Sequence, residues 1–281
     1  MNLKIMGIYR EAEYSPGKVD ADAAIIDAVL AEMRGFGVET VTADADNFAR
    51  GKFLAPHMVL AMCQGQGALS RLAAAEQGGA VVINSALAIR NCYRDLLGAG
   101  LMRAGVPVPE GVVISTAGPL DLKAIRTLDL TRPLYIKRGD LHALANDDVQ
   151  RVTGFDQLET ALNGFARRGV AQAYVQQEVL GEVVKFYGVS GGEYFATVCD
   201  EGMHLTDAQK RALQSAASVA AGALGLEVWG GDAVIEGDHF SIIDFNDWPS
   251  FSRVRAEAAR AIARRSILLL RRHPMAKDLR V

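Results

Sequence analysis

Asp232, Asp244 and Asn246 are the residues whose types and spacing point most directly to chemistry. They stand in Gly230-Gly231-Asp232-Ala233-Val234-Ile235 and in Ser241-Ile242-Ile243-Asp244-Phe245-Asn246-Asp247-Trp248-Pro249-Ser250-Phe251. Alternate side chains of a strand share a face, so Asp244 and Asn246 can reach one ion. Asp232 falls on the preceding strand, across the turn at Gly237-Asp238, within cross-strand reach. Two carboxylates and an amide oxygen are hard ligands of the kind that Mg²⁺ takes together with substrate phosphates. The competing reading is a polar strand end whose Asp and Asn cap a turn. The apolar pair Ile242-Ile243 directly before Asp244 favours function, because a buried strand ending in a carboxylate needs a counter-charge.

The elements that position these residues follow from the hydrophobic pattern. The first third alternates strand and helix: strands at 3–9, 38–42, 57–63 and 80–83, with helices at 20–34 and 68–77. Such alternation predicts a parallel sheet with helices packed on it, an open α/β lobe over residues 1–92. A second unit over 93–175 opens with a helix at 94–104 and the rigid segment Val106-Pro107-Val108-Pro109. Strands at 111–115, 133–137 and 173–177 and a helix at 155–168 complete it. The third unit, 176–281, has β runs at 182–189 and 194–198 joined through Gly191-Gly192, a good hairpin turn. Thr206-Asp207-Ala208-Gln209 reads as a capping box that starts a helix to about Leu224. Strands at 226–236 and 239–245 and a helix at 253–272 follow. The fold class expected is α/β, with mixed α+β character in the last two lobes. No repeat or low-complexity linker separates them, so close packing is expected.

Bulk composition excludes several classes. The chain has 281 residues, enough for two or three lobes around a cleft. A net charge of −3 is no general trap for nucleic acid. No run reaches the roughly 18 apolar residues of a membrane span. Met1-Asn2-Leu3-Lys4 leads straight into a strand without a secretory signal pattern. Cys63, Cys92 and Cys199 are odd in number and far apart, which fits a reducing cytoplasm rather than a disulfide framework.

From Gly231-Asp232 and Ile243-Asp244-Phe245-Asn246 the sequence resembles the metal-binding end of the ATP-grasp superfamily, which includes glutathione synthetase and ribosomal-protein glutamate ligases. The likeness runs back in the family's order to about residue 80. Asn84-Ser85, Ile89-Arg90-Asn91, Arg94-Asp95 and Ala104-Gly105-Val106-Pro107-Val108-Pro109 are similar to the entry of the central lobe. Lys137 is similar to the strand lysine that touches the nucleotide α- and β-phosphates. Gln177-Glu178-Val179-Leu180-Gly181 resembles the hinge that binds adenine through its backbone, and Lys185 the cation that meets the phosphates. The resemblance implies an ATP-grasp fold in which two lobes sandwich ATP, with Mg²⁺ or Mn²⁺ at Asp232, Asp244 and Asn246. It implies a ligase that activates a carboxylate as an acyl phosphate and joins it to an amine. The alternatives are a kinase phosphorylating a hydroxyl of a small polyol or inositol phosphate, and a nucleotide-binding module without turnover. The partners implied are small molecules, with no nucleic acid and no membrane; a homo-oligomer stays open.

Each residue carries a plainer reading too. Lys137 could be a snorkelling surface lysine, and Lys185 one half of a cross-strand salt bridge. Glu178 or Glu182 could accept from the ribose hydroxyls. Arg90 and Arg94 could reach phosphate or be solvated surface arginines. Trp248 with Phe251 could wall a substrate pocket or simply pack. Gln64-Gly65-Gln66-Gly67 suits a close turn better than an anion cradle. The sequence departs from the family pattern after Lys137. Where a glycine-rich loop is common, it has Arg138-Gly139-Asp140-Leu141-His142-Ala143. Arg138 and His142 are therefore the cationic candidates for shielding phosphate there, the histidine as acid–base group or phosphate ligand. A lysine common after the Asp of Arg94-Asp95 is also missing, with Arg94 a substitute.

Overall fold

The computed structural model describes residues 3–51, 56–140 and 144–272. Twelve strands and eight α-helices among these residues form three four-stranded sheets.

The first sheet is parallel, in the order β2-β1-β3-β4. Its strands are β1 (Lys4–Tyr9), β2 (Glu39–Asp44), β3 (Met58–Ala61) and β4 (Val81–Ile83). All of β3 and the centre of β1, Ile5 to Ile8, are apolar and buried, as parallel strands covered on both faces must be. Helices α1 (Val19–Arg34), α2 (Ala45–Ala49) and α3 (Gln66–Gln77) belong to this unit. Alternation of strand and helix forecasts this layout, but not α2. That helix is a single turn begun by Asp44, whose carboxylate accepts the Asn47 N–H at 2.7 Å. Helices α4 (Ala86–Asn91) and α5 (Arg94–Arg103) lead onward. α4, also unforeseen, is capped by the Ser85 hydroxyl, which accepts from Ala88 N at 3.0 Å.

The second sheet is antiparallel, in the order β5-β8-β6-β7. It comprises β5 (Gly111–Ser115), β6 (Leu134–Arg138), β7 (Val149–Val152) and β8 (Gln172–Gln177). Helix α6 (Gly154–Arg167) covers one face, where Ile114, Leu134, Ile136, Val175 and Phe165 share a core. The opposite face carries Lys137 and Tyr174, which are register partners.

The third sheet runs β10-β9-β11-β12 and is antiparallel. Its strands are β9 (Glu182–Val189), β10 (Tyr194–Val198), β11 (Val228–Glu236) and β12 (His239–Asp247). Gly191 and Gly192 turn the β9–β10 hairpin at φ of 80° and 76°, a left-handed geometry that favours glycine. Helix α7 (Asp207–Leu224) opens with the expected box: Gln209 N donates to Thr206 Oγ1 at 3.2 Å, and Thr206 N to Gln209 Oε1 at 2.8 Å. Helix α8 (Arg255–Arg272) returns to pack on α1. One core therefore joins the first and last units, combining Ile25, Val29 and Met58 with Trp248, Phe251 and Ile262.

Candidate active site

The β11–β12 pair sets the heart of the site. Asp232 lies opposite Asp244, and Asn246 opposite Gly230. The ladder then slips: Ala233 pairs with Ile242, so Ile243 is an extra residue, a β-bulge. The carbonyl of Ile243 accepts a hydrogen bond from Lys137 Nζ at 2.9 Å, which links the second sheet to the third beside Asp244. Close strand approach here depends on glycine. A Cβ at Gly231 would overlap the Asp244 carbonyl oxygen and the Phe186 ring.

Two cations face the two carboxylates. Lys185, opposite Asp232 on β9, donates to Asp232 Oδ1 at 2.8 Å. Arg94, at the start of α5, reaches Asp244 Oδ2 at 3.3 Å. Arg94 is buried, so the reading of a solvated surface arginine does not hold for it. Arg90 is exposed and lies over the Tyr93 ring. Lys137 is only 7% exposed, and its amine also donates to Gln176 Oε1 at 2.8 Å. Burial pulls its pKa down to about 8, against the opposing pull of Asp244. It is thus no snorkelling lysine.

Arg94, Lys185, Asp232, Asp244 and Asn246 line one cleft of about 550 Å³. Its other wall comes from the first unit, chiefly Arg10, Tyr14, Lys18 and Asp22. Sequence reasoning passed over Arg10. Its guanidinium donates to Met62 O at 3.1 Å and Trp248 O at 2.9 Å, and pairs with Asp22 at 3.4 Å. It thereby ties the end of β1 to the segment after β12. The available signal was position: Arg10 directly follows a parallel strand, and the carboxyl ends of such strands are where ligands bind in α/β sheets. Gln64, after β3, likewise donates to both Asp247 carboxylate oxygens, at 2.9 and 3.1 Å. The Glu11 carboxylate accepts from Gln64 N and Gly65 N, which occupies the backbone donors before α3.

Arg138 is held by Asp140 at 2.7 Å and Asp148 at 3.3 Å, and these partners raise its pKa. His142 lies outside the described residues. In the hinge, the Gln177 side chain accepts from Asp129 N and donates to Pro133 O. Glu178 is bound by Arg151 through two hydrogen bonds, at 2.6 and 3.0 Å, which hold its carboxyl below the usual range. Val179 is half-buried, and Leu180 and Glu182 are exposed. Gly181, at φ 143°, lies so close to the Ile235 carbonyl oxygen that a Cβ would overlap it. Trp248 and Phe251 are fully buried and pack in the core. Both have positive φ, 38° and 50°, which is uncommon for bulky residues and marks the loop between them as constrained.

No cluster of three His, Cys, Asp or Glu side chains suited to a metal occurs among the described residues. The donor set of Asp232, Asp244 and Asn246 differs in using an amide oxygen, and its hard oxygens fit Mg²⁺ or Mn²⁺. No helix among the described residues is long and apolar enough to cross a membrane.

No family model and no curated protein matches the sequence. The structure is similar to D-alanine–D-alanine ligase from Bacillus anthracis complexed with ATP, with a TM-score of 0.73 over 96% of this chain and 99% of that one, at 13% identity. It is also similar to D-cycloserine synthetase DcsG, with a TM-score of 0.67 over 93% of this chain and 99% of that one, at 16% identity. A RimK domain ATP-grasp protein from Sphaerobacter thermophilus gives a TM-score of 0.66 over 93% and 98%, at 19% identity. At such identities the likeness is one of fold: this chain has the ATP-grasp fold.

Proposed function

We propose that the protein is an ATP-dependent ligase that activates a small-molecule carboxylate and joins it to an amine. The observation that carries this reading is the convergence of Lys137 with Arg94, Lys185, Asp232, Asp244 and Asn246 where the second and third sheets meet. Resemblance to ligases of this fold, one of them complexed with ATP, supports it.

In this reading Asp232, Asp244 and Asn246 would hold Mg²⁺ or Mn²⁺, which neutralises phosphate charge when bound. Lys137, Lys185 and Arg94 supply fixed positive charge to the triphosphate, with Lys137 kept from water by burial. The backbone of Glu178 to Leu180 would hydrogen-bond the adenine. Glu182 suits the ribose hydroxyls better than Glu178, whose carboxylate Arg151 already binds. A substrate carboxylate oxygen attacks the γ-phosphorus, the bond to the bridging oxygen breaks, and ADP leaves. The amine then attacks the acyl carbon, the carbon–oxygen bond breaks, and phosphate departs as the amine loses a proton. The protein's task is to position the reactants and balance charge. No thiol nucleophile is needed; burial drives the pKa of Cys63 and Cys92 well up, which suits structural cysteines.

The test is product stoichiometry with Mg²⁺-ATP and pools of amino acids, small carboxylates and polyols, with hydroxylamine added in a parallel reaction. Equal ADP and free phosphate, dependent on an amine, with hydroxamate formed from the trapped acyl phosphate, is the expected result. Phosphate retained on the acceptor indicates a kinase instead. ATP binding without turnover in any pool indicates a binding module.

A further inference from the structure

Lys137 differs from Lys185 and Arg94 in what holds it. Those two cations pair with carboxylates, Asp232 at 2.8 Å and Asp244 at 3.3 Å. The Lys137 ammonium donates to two neutral oxygens, Gln176 Oε1 at 2.8 Å and Ile243 O at 2.9 Å. Neutral acceptors fix its direction and leave its charge uncancelled. An ammonium carries three N–H donors, so two that are fixed set the direction of the third.

Gln176 is itself held in place. It sits on β8 and is only 4% exposed, at a depth where polar side chains need partners. Register sets Gln176 opposite Tyr135 and Tyr174 opposite Lys137, so Lys137, Tyr174 and Gln176 share one face of the second sheet, with Gln176 diagonal to the lysine. The other end of the amide donates to the Tyr174 phenol, whose pKa burial pushes up to about 12 against the opposing effect of that bond. The second bond decides which end of the amide meets Lys137, since a reversed amide would turn N–H groups towards an ammonium. Tyr174 is in turn wedged between α5 and β5: a Cβ at Gly98 or Gly111 would overlap its ring and hydroxyl. The cavity lined by Arg94, Lys137, Tyr174, Gln176 and Asp244 is about 10 Å³, room for about one water at most. Solvent therefore has little space in which to replace the amide.

We infer that Gln176 is a positioning residue for nucleotide binding: its amide oxygen, oriented by Tyr174, aims the Lys137 ammonium at the phosphates. The inference rests on the nucleotide site of the ligase reading and deepens it. A phosphate oxygen meets a donor that is already directed, and the amide oxygen offsets part of the cost of keeping that charge away from water before the ligand arrives.

The test compares, by calorimetry on the full chain at one pH, a non-hydrolysable ATP analogue with Mg²⁺ against adenosine, which lacks the phosphates. Gln176→Met keeps the length of the side chain and removes its acceptor. It should weaken the analogue about tenfold, or about 1.4 kcal/mol, and leave adenosine within about twofold. Gln176→Glu keeps an acceptor but cancels the lysine charge, so it should weaken the analogue at least as much while adenosine still binds. Tyr174→Phe, which frees the amide to turn, should weaken the analogue about threefold. In a Lys137→Met background, Gln176→Met should change analogue affinity by less than about twofold, because Gln176 acts through the lysine. A purely structural role would lower both affinities alike and would persist without Lys137. Three results overturn the inference: analogue affinity unchanged in both Gln176→Met and Gln176→Glu, equal losses for analogue and adenosine, or a loss that persists in the Lys137→Met background. A wild-type protein that binds neither probe overturns the ligase reading, and this inference with it.

Discussion

Lys137 shows how one residue can trade stability for a charge in the right place. Its folded pKa, about 8, lies below the ordinary lysine value, so the unfolded chain holds the proton more tightly. The cost is full below pH 8 and is relieved as pH rises towards the ordinary value, so stability should rise across that window by on the order of 3 kcal/mol. Urea unfolding of the metal-free protein at pH 7 to 10 checks this, with Lys137→Met as the reference in which the rise disappears. The same variant should weaken ATP-analogue binding about 100-fold, the scale for removing a charge-assisted contact from a dry site. Asp244→Asn keeps shape and removes charge. It should lower Mg²⁺-dependent ADP release at least about 100-fold while the fold persists. Circular dichroism beside the turnover assay separates the two effects. Wild-type turnover in that variant would remove Asp244 from the metal set.

Elements turn these residues into a site. The two-residue spacing of Asp244 and Asn246 was legible in the sequence because strand periodicity alone puts them on one face, and the turn at Gly237-Asp238 places Asp232 opposite. The bulge at Ile243 was not legible, since nothing in Ser241-Ile242-Ile243-Asp244 marks a register slip. Yet it leaves Ile243 outside the one-to-one ladder while its carbonyl meets Lys137. β7 was missed for a similar reason: Val149-Gln150-Arg151-Val152 is a short, half-polar edge strand with little hydrophobic signal. Gly231→Ala should push β11 away from β12 and disturb Asp232 against Asp244, because its Cβ meets the Asp244 backbone carbonyl as well as the buried Phe186 ring. We expect a turnover loss of at least about tenfold together with destabilisation of about 1–3 kcal/mol. The capping box of α7 provides the contrast. Thr206→Ala should cost about 1 kcal/mol in urea unfolding and leave nucleotide affinity unchanged.

At the scale of the whole molecule, the three segments seen along the chain are three sheets, but the cores do not follow them. The first and last sheets share one core through α1 and α8. Asn84, fully buried, reinforces this junction by donating to Val228 O at 2.6 Å and accepting from Glu227 N and Val228 N. A buried asparagine before a helix gives no sequence sign of partners about 140 residues away, which is why this junction was invisible to local patterns. Asn84→Ala removes the acceptor of Glu227 N and Val228 N, while Val228 O keeps the Trp248 N–H at 3.4 Å, and should cost several kcal/mol, about 1–3 for each group left unsatisfied. Hydrogen exchange should report the first and third sheets opening together, and the second sheet, with its own core under α6, opening separately. Exchange of the first sheet without the third would contradict the shared core.

The central claim is that Mg²⁺-ATP lies where Lys137, Lys185 and the β11–β12 acidic pair converge. The most direct measurement is a crystal structure with a non-hydrolysable ATP analogue and magnesium. The account predicts phosphates against Lys137 and Lys185, the metal on Asp232, Asp244 and Asn246, and the base against the backbone of Glu178 to Leu180. A nucleotide bound elsewhere, or a metal held by other residues, would contradict it.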